Sequence, residues 1–233
     1  MAAYVICTAP RSGSTLLCGL LRATGVAGNP GSHFHTPDIA AWRAVYGLAP
    51  DAPLADLLEA GRTAGSAGGS VYGLRLQSHS AHYFFTQLGG GRLAFEAVFG
   101  LTRWIWLRRE DVVAQAVSCV RAQQTGLWHR APDGTEIERL APPAPPHYDR
   151  AAIAQHVTEF EGAQAMWRDW FMAEGIEPLK LSYRDLSADP AKGLADVLGY
   201  LGLPAPADKV AVPTQRLADE INEDWIARFR RGQ

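Results

Sequence analysis

Five consecutive residues near the start of the chain, Arg11-Ser12-Gly13-Ser14-Thr15, combine a guanidinium group, a glycine and three hydroxyl groups. A short apolar, partly β-branched segment precedes them and ends at Pro10, which predicts a buried strand, and the leucines that follow predict a helix. In such a strand–turn–helix arrangement, backbone N–H groups and the positive end of the helix dipole point at the turn. The sequence therefore predicts an anion site here. The alternative is that the serines only cap the helix and that Arg11 is incidental.

A second basic cluster follows another predicted strand. The apolar run Trp104–Leu107 ends in Arg108 and Arg109, and two acidic residues then open a helix, where they suit the helix dipole. Ser118 lies nine residues after Arg109, about two turns into that helix. Strand, terminal arginine and helix repeat the first arrangement and predict a second anion site. The alternative is a surface salt bridge between the arginines and the two acidic residues.

Further candidates are an arginine and two histidines. Arg75 lies inside a predicted strand, Val71–Gln77, and a buried cation costs free energy unless it meets an anion. It therefore indicates either a ligand anion or a structural ion pair, and the sequence leaves both open. His33 and His35 come directly after a Gly/Pro turn, close to the strand edge where open α/β sheets bind ligands. They are candidates for substrate binding or proton transfer, and packing is the alternative.

The composition describes an ordinary globular protein. The chain has 233 residues, of which 47% are hydrophobic and 20% charged, and this length suits one sizeable domain. A net charge of −2 argues against a general nucleic-acid binder. Its three cysteines lack metal-type spacing, and neither a secretory signal nor an apolar run of membrane length is visible. We therefore expect a soluble cytoplasmic protein of a reducing compartment.

Predicted strands alternate with predicted helices along the chain, which indicates an α/β fold with a mostly parallel sheet. The long amphipathic helix Arg150–Glu174 carries an apolar stripe typical of a core or a dimer face, and Leu179–Tyr183 is a short fourth strand. Residues 63–70 and 131–147, rich in small residues and in proline respectively, are predicted to be flexible.

With two candidate anion sites at strand–helix junctions, the sequence resembles the sulfotransferases that use 3′-phosphoadenosine 5′-phosphosulfate (PAPS). Within them, it is most similar to the bacterial carbohydrate sulfotransferases typified by trehalose 2-sulfotransferase. The resemblance covers nearly the whole chain and is carried by Arg11–Leu17, Leu21–Gly28, Arg109, Asp111–Val113, Gln115–Ser118, Arg121, Ala122, Gln124, Thr125, Trp128, Trp167–Pro178, Arg216, Asp224, Trp225 and Arg228.

The resemblance implies a P-loop-like three-layer α/β fold with a central, mostly parallel sheet flanked by helices, and no metal requirement. It implies that residues 11–15 wrap the 5′-phosphosulfate, with Arg11 where many sulfotransferases place a lysine. Arg109 and Ser118 match the pair that holds the 3′-phosphate, and Arg216 is expected to assist. The product would be 3′,5′-adenosine bisphosphate (PAP). A homodimer is expected because members of the family tend to dimerise.

The chain departs from this family at its likely base. The trehalose-type enzymes place a glutamate two residues after the Gly-x-Pro turn, and here that position is Ser32, which is no base at neutral pH. Our hypothesis is that His33 has taken over, because an imidazole titrates near pH 6.5, with His35 and then His79 in reserve. Arg75 matches the lysine of a Lys-x-His pair in other sulfotransferases and is expected to stabilise the transferring group.

The leading hypothesis is therefore an enzyme that moves the sulfuryl group of PAPS, by in-line transfer, to a hydroxyl of a carbohydrate or a glycosylated small metabolite. The second is a protein of the same fold that binds PAPS or PAP but has lost catalysis, and Ser32 favours it. The third, a small-molecule kinase, is disfavoured because the turn lacks the Gly-Lys-Ser/Thr ending of a Walker A loop and no acidic magnesium ligands are evident.

Overall fold

The computed structural model describes residues 3–206, 208, 210–215 and 217–233. Within these residues lie six strands: β1 (Ala3–Thr8), β2 (Tyr72–Gln77), β3 (Thr102–Arg108), β4 (Leu127–Arg130), β5 (Glu136–Arg139) and β6 (Leu179–Ser182). The same residues form ten helices: α1 (Ser14–Ala23), α2 (Ile39–Val45), α3 (Leu54–Ser66), α4 (Ser78–Leu88), α5 (Arg92–Phe99), α6 (Val112–Thr125), α7 (Arg150–Ala173), α8 (Tyr183–Ala188), α9 (Pro190–Leu201) and α10 (Glu220–Arg230).

A four-stranded parallel sheet in the order β2-β1-β3-β6 forms the centre of the fold. Cys7 of β1 lies beside Leu76 of β2 and Trp106 of β3, so the carboxyl ends of these strands reach the same edge. The loops that carry the predicted site residues leave the sheet at this edge. Helices cover both faces, and the predicted three-layer α/β architecture is confirmed.

The two faces of the sheet alternate along β1, as the period of two in a strand requires. Val5 and Cys7 face a core built mainly of aromatic side chains from α2, α4, α5 and α7. Tyr4 and Ile6 face the other way, onto leucines of α1 and α9. Burying each of these leucines contributes about 1.5–3 kcal/mol, so α1 is firmly held against the sheet directly behind the turn that precedes it.

Two segments differ from the sequence-based expectation. Helix α3 continues to Ser66, so the prediction of a flexible loop at 63–70 is wrong for residues 63–66, and the helix ends where Ala67 adopts a left-handed φ of 48°. The segment predicted to be irregular at 131–147 begins with a hairpin, because β4 and β5 pair antiparallel around a turn at Gly134. This hairpin lies beside the turn that precedes α1, and Trp128 on β4 contacts Arg11 of that turn.

Among the described residues, no helix has the length and apolar character needed to cross a membrane. The single domain, the homodimer and the cytoplasmic location stay predictions.

Candidate active site

The turn between β1 and α1 is held rigidly by neighbouring elements. Gln115 of α6 donates through Nε2 to the Pro10 carbonyl (2.6 Å), and Trp167 of α7 donates through Nε1 to the Thr8 carbonyl (2.9 Å). Ser12 is buried and donates to the Ala9 carbonyl (2.6 Å), so its hydroxyl supports the turn from inside. The first turn of α1 has no acidic residue and no side-chain cap, which leaves its amide dipole open to an anion.

Gly13 is required at its position for two separate reasons. Its φ of 85° lies in the left-handed region, which side chains disfavour. A Cβ there would also lie 2.5 Å from Cδ2 of Tyr183, at the start of α8. The guanidinium of Arg109 also contacts this ring, at 4.7 Å from its centroid. Tyr183 therefore packs against both the turn and Arg109.

Arg11 joins the two predicted anion sites into one. Its own φ is 61°, and its side chain leaves the turn to donate from Nε to Ser118 Oγ (3.0 Å) and from Nη1 to the Trp128 carbonyl (2.6 Å). Arg109 Nη1 lies 3.4 Å from the Arg11 carbonyl. Burial is the main cause that lowers the pKa of Arg11. Cys119 raises this pKa, and the charge of Arg109 lowers it further. The residues predicted to grip opposite ends of the donor thus surround a single space.

Arg75 reaches the same turn from β2. Its Nε donates to Ser32 Oγ (2.8 Å) and its Nη1 donates to Thr15 Oγ1 (3.0 Å). Within the described part of the chain, neither Arg75 nor Arg11 forms a salt bridge. A half-buried guanidinium with only neutral partners is well suited to an arriving anion. Of the two explanations for Arg75, this favours the ligand anion over the structural ion pair.

A cavity of about 360 Å³ opens between the turn, α6, the hairpin and α8. Its lining includes Arg11, Gly13, Thr15, Arg109 and Ser118, which is most of the predicted donor site. A neighbouring cavity of about 270 Å³ shares Arg11 and Ser118 and adds three arginines, Arg121, Arg130 and Arg139. Arg216 lies outside the described residues, although Gln215 and Leu217 on either side of it line the 360 Å³ cavity.

The predicted base, His33, lies in the loop between α1 and α2. Its Nε2 donates to the Asn29 carbonyl (3.0 Å), so Nδ1 is the nitrogen left to accept a proton. The pKa of His33 is lowered, mainly by burial. The hydrogen bond to Asn29 raises it, and the charges of Arg22 and Arg75 lower it further. The imidazole is therefore neutral at pH 7, as a base must be.

The two reserve histidines contact each other. His79 Nε2 donates to the His35 carbonyl (3.1 Å), and the rings meet edge to face at 4.9 Å between centroids. Burial lowers the pKa of both. His79 also lines a third cavity, of about 440 Å³, that touches Pro10 and Trp128 at the back of the turn.

Sequence reasoning missed His129, which follows Trp128 on β4. Its Nε2 lies 3.0 Å from Thr15 Oγ1 and 3.4 Å from Glu138 Oε2 on β5. Burial, and then the charges of Arg11 and Arg75, lower the pKa of His129 to about 3. No local pattern relates it to Thr15, from which it is 114 positions away. The neighbouring Trp128 accepts a hydrogen bond from Arg11 through its carbonyl, and its ring lies against the Arg11 guanidinium.

This arrangement can hold and polarise a ligand with negative charge at two points. Guanidinium groups, hydroxyls and backbone amides converge on one cavity, and the groups that position them are themselves buried. Group transfer between anions depends chiefly on such positioning and on stabilising the charge that develops on the leaving group. The site therefore has the groups that binding and positioning an anionic ligand require.

Comparisons with known proteins agree with this description. A model of the family described as Stf0 sulphotransferase matches residues 3–232. Trehalose 2-sulfotransferase of Mycolicibacterium smegmatis is 31% identical over 98% of this chain and 94% of its own length. The enzyme of that name from Mycobacterium tuberculosis is 31% identical over 97% of this chain and 94% of its own length.

Solved structures share the fold at much lower identity. The sulfotransferase domain of the Synechococcus PCC 7002 olefin synthase superposes with a TM-score of 0.53 at 16% identity, covering 98% of this chain and 86% of its own. A sulfotransferase from Alicyclobacillus acidocaldarius gives 0.51 at 12% identity, covering 98% of this chain and 91% of its own.

Proposed function

The chain belongs to the Stf0 sulphotransferase family, and from this premise we propose that it transfers the sulfuryl group of PAPS to a hydroxyl of a carbohydrate or a glycosylated small metabolite. The observation that carries the proposal is that Arg11 bonds to Ser118 and lies against Arg109 around one cavity, with no carboxylate partner for Arg11 among the described residues. A donor that is anionic at both ends is the ligand class that this pair of clusters matches.

Each cluster has a role in the proposal. The turn of residues 11–15 and Arg75 bind the 5′-phosphosulfate, and Arg109 and Ser118 bind the 3′-phosphate. In the transfer, the acceptor oxygen forms a new bond to sulfur while the bond between sulfur and the bridging oxygen breaks, and the electron pair of the broken bond goes to the 5′-phosphate. Positive charge and N–H groups at that oxygen lower the barrier because they meet charge that develops only in the transition state.

The acceptor hydroxyl loses its proton to His33 in this proposal. Nδ1 is the accepting nitrogen, since Nε2 is bonded to the Asn29 carbonyl. His79 is the second candidate, and the observation in its favour is that it lines the 440 Å³ cavity at the back of the turn. Both imidazoles have a pKa below the ordinary value, which keeps them in the proton-accepting form at pH 7.

A sugar acceptor is proposed from the two relatives named trehalose 2-sulfotransferase. Where the family resemblance implies a glutamate, this chain has Ser32, which accepts a hydrogen bond from Arg75. The surface that would recognise glucose therefore need not be the same. A sugar hydroxyl on a larger metabolite is as compatible with the site as trehalose.

The test has two parts. PAP is first titrated against the protein in a thermal-shift assay, where a ligand at a hundred times its Kd stabilises by about 2.7 kcal/mol. Arg109→Ala should abolish most of the shift, whereas Arg168→Ala, at an exposed arginine of α7, should leave it intact. A wild-type protein that PAP does not stabilise would overturn the proposal.

Sulfate transfer from labelled PAPS is then assayed against a panel of free and glycosidic sugars. Turnover of any of them supports the enzyme. Binding of PAP with no turnover on the whole panel favours the second candidate function, a binding protein that has lost catalysis, for which Ser32 is the specific observation.

A further inference from the structure

His129 occupies a position at the donor site that the roles proposed above do not use. It lies on β4, lines the 360 Å³ cavity and contacts Thr15 on the first turn of α1. Three charged groups face it from other elements: Arg11 from the turn, Arg75 from β2 and Glu138 from β5. An imidazole placed between two arginines and one carboxylate is poised to change its charge when an anion enters.

The hydrogen bonds at Thr15 suit a His129 whose Nε2 carries no proton. Arg75 can only donate, so Thr15 Oγ1 accepts from Arg75 Nη1, and the hydrogen of the Thr15 hydroxyl is able to donate to His129 Nε2. In this arrangement Nε2 is the acceptor. The distance of 3.4 Å from His129 Nε2 to Glu138 Oε2 agrees with an unprotonated Nε2, because a charge-assisted N–H···O bond is shorter, about 2.7–2.9 Å.

We propose that His129 is a donor-binding residue that takes up a proton when the phosphosulfate enters and then holds it as an imidazolium. This inference rests on the proposed function, since the phosphosulfate is the anion concerned. An anion oxygen that accepts the Thr15 hydroxyl removes the hydrogen bond on which unprotonated Nε2 depends. Protonated Nε2 can donate in its place, both to the anion and to Glu138.

The electrostatics act in the same direction. In the free protein, burial and the charges of Arg11 and Arg75 keep the pKa of His129 low. A phosphosulfate brings negative charge against both arginines, so their effect on the imidazole is cancelled and replaced by attraction. Glu138 adds to this attraction.

The imidazolium has a defined part in the transfer. When the bond from sulfur to the bridging oxygen breaks, the electron pair goes to the 5′-phosphate, and an N–H beside that end stabilises the added charge. The proton of the acceptor goes to the separate base of the proposed function. His129 keeps its proton until PAP leaves, so the proton taken up on binding is returned to solvent with the product.

The experiment is calorimetric titration of the full chain with PAPS, without an acceptor, in buffers of different ionisation enthalpy at pH 6.5. The number of protons taken up follows from the dependence of the heat on the buffer. His129→Gln keeps an N–H donor and cannot titrate, and subtracting its value removes protons exchanged by PAPS itself. His82→Gln, at an exposed histidine of α4, is the matched control.

We expect wild-type protein and His82→Gln to take up close to one proton more than His129→Gln. The affinity of wild-type protein relative to His129→Gln should rise as pH falls below the pKa of bound His129, by up to about tenfold per pH unit. Equal proton numbers and parallel pH profiles would overturn the inference, even with weaker binding, because weaker binding alone indicates a structural role. If wild-type protein does not bind PAPS, the proposed function fails and this inference fails with it.

Discussion

Gly13→Ala is the perturbation whose effect the structure specifies most closely. The new Cβ would be strained in two ways, because φ is 85° and because Tyr183 Cδ2 would lie 2.5 Å away. A left-handed backbone costs a residue with a side chain roughly 1–2 kcal/mol. Overpacking typically costs a further 1–3 kcal/mol, so we expect a loss of about 2–5 kcal/mol in the free energy of unfolding.

A second glycine separates the two contributions. Gly25 has a φ of 70°, and a Cβ there would meet nothing within 4 Å. Gly25→Ala therefore carries the backbone cost without the clash. We expect the difference between the two alanine variants, measured by urea unfolding at constant m-value, to equal the cost of displacing the Tyr183 ring.

The displaced ring also links stability to the donor site. Arg109 stacks on Tyr183 at 4.7 Å, so movement of the ring moves the guanidinium predicted to hold the 3′-phosphate. Gly13→Ala should therefore weaken PAP binding as well, whereas Gly25→Ala should not. In a Tyr183→Ala background, the cost of Gly13→Ala should fall to that of Gly25→Ala. The reasoning is refuted if both glycine variants lose equal stability, or if removal of the ring does not reduce the cost at Gly13.

Two further predictions concern catalysis. His33→Gln should lower the rate of sulfate transfer about 10²–10⁴-fold with PAP binding intact. In the wild-type protein, kcat/KM should rise with pH as His33 loses its proton. Because the pKa of His33 is lowered, the plateau should be reached below the pH range of an ordinary imidazole. A smaller loss of rate, or the same pH profile in His33→Gln as in the wild type, would assign the role of base to His79. His79→Gln is therefore measured in parallel. Arg75→Lys should reduce kcat more than PAP affinity, because one ammonium group cannot reproduce the paired bonds to Ser32 Oγ and Thr15 Oγ1. Equal losses in kcat and affinity would place Arg75 in binding alone.

Much of the fold follows from patterns between near neighbours in sequence. An apolar run, a small polar turn and a leucine-rich run identify β1, the turn and α1, and the same logic identifies β3 with α6. Asp111 is an example of the local signals involved, since its side chain accepts from the amide of Ala114 at the start of α6. Such signals depend on contacts within one turn, which the sequence displays directly.

The ends of helices and strands are harder to predict where tertiary packing competes with local sequence preference. Glycines and serines in residues 63–70 indicate a loop, yet α3 extends to Ser66 because Gly65 lets it approach Tyr72 and the backbone of β2. In residues 131–147, prolines obscured a hairpin whose strands stabilise each other only once they pair. These outcomes depend on partners that are distant in sequence.

The sequence by itself determined which groups could bind an anion, because arginines, hydroxyls and a helix start are local properties of residues 11–15, of Arg75 and of Arg109. Only the tertiary structure decided that these groups serve one cavity, since the bonds from Arg11 to Ser118, from Arg75 to Thr15 and between His129 and Thr15 span 107, 60 and 114 positions. Chain folding fixes such distances through the packing of whole strands and helices. No pattern within a few residues records them.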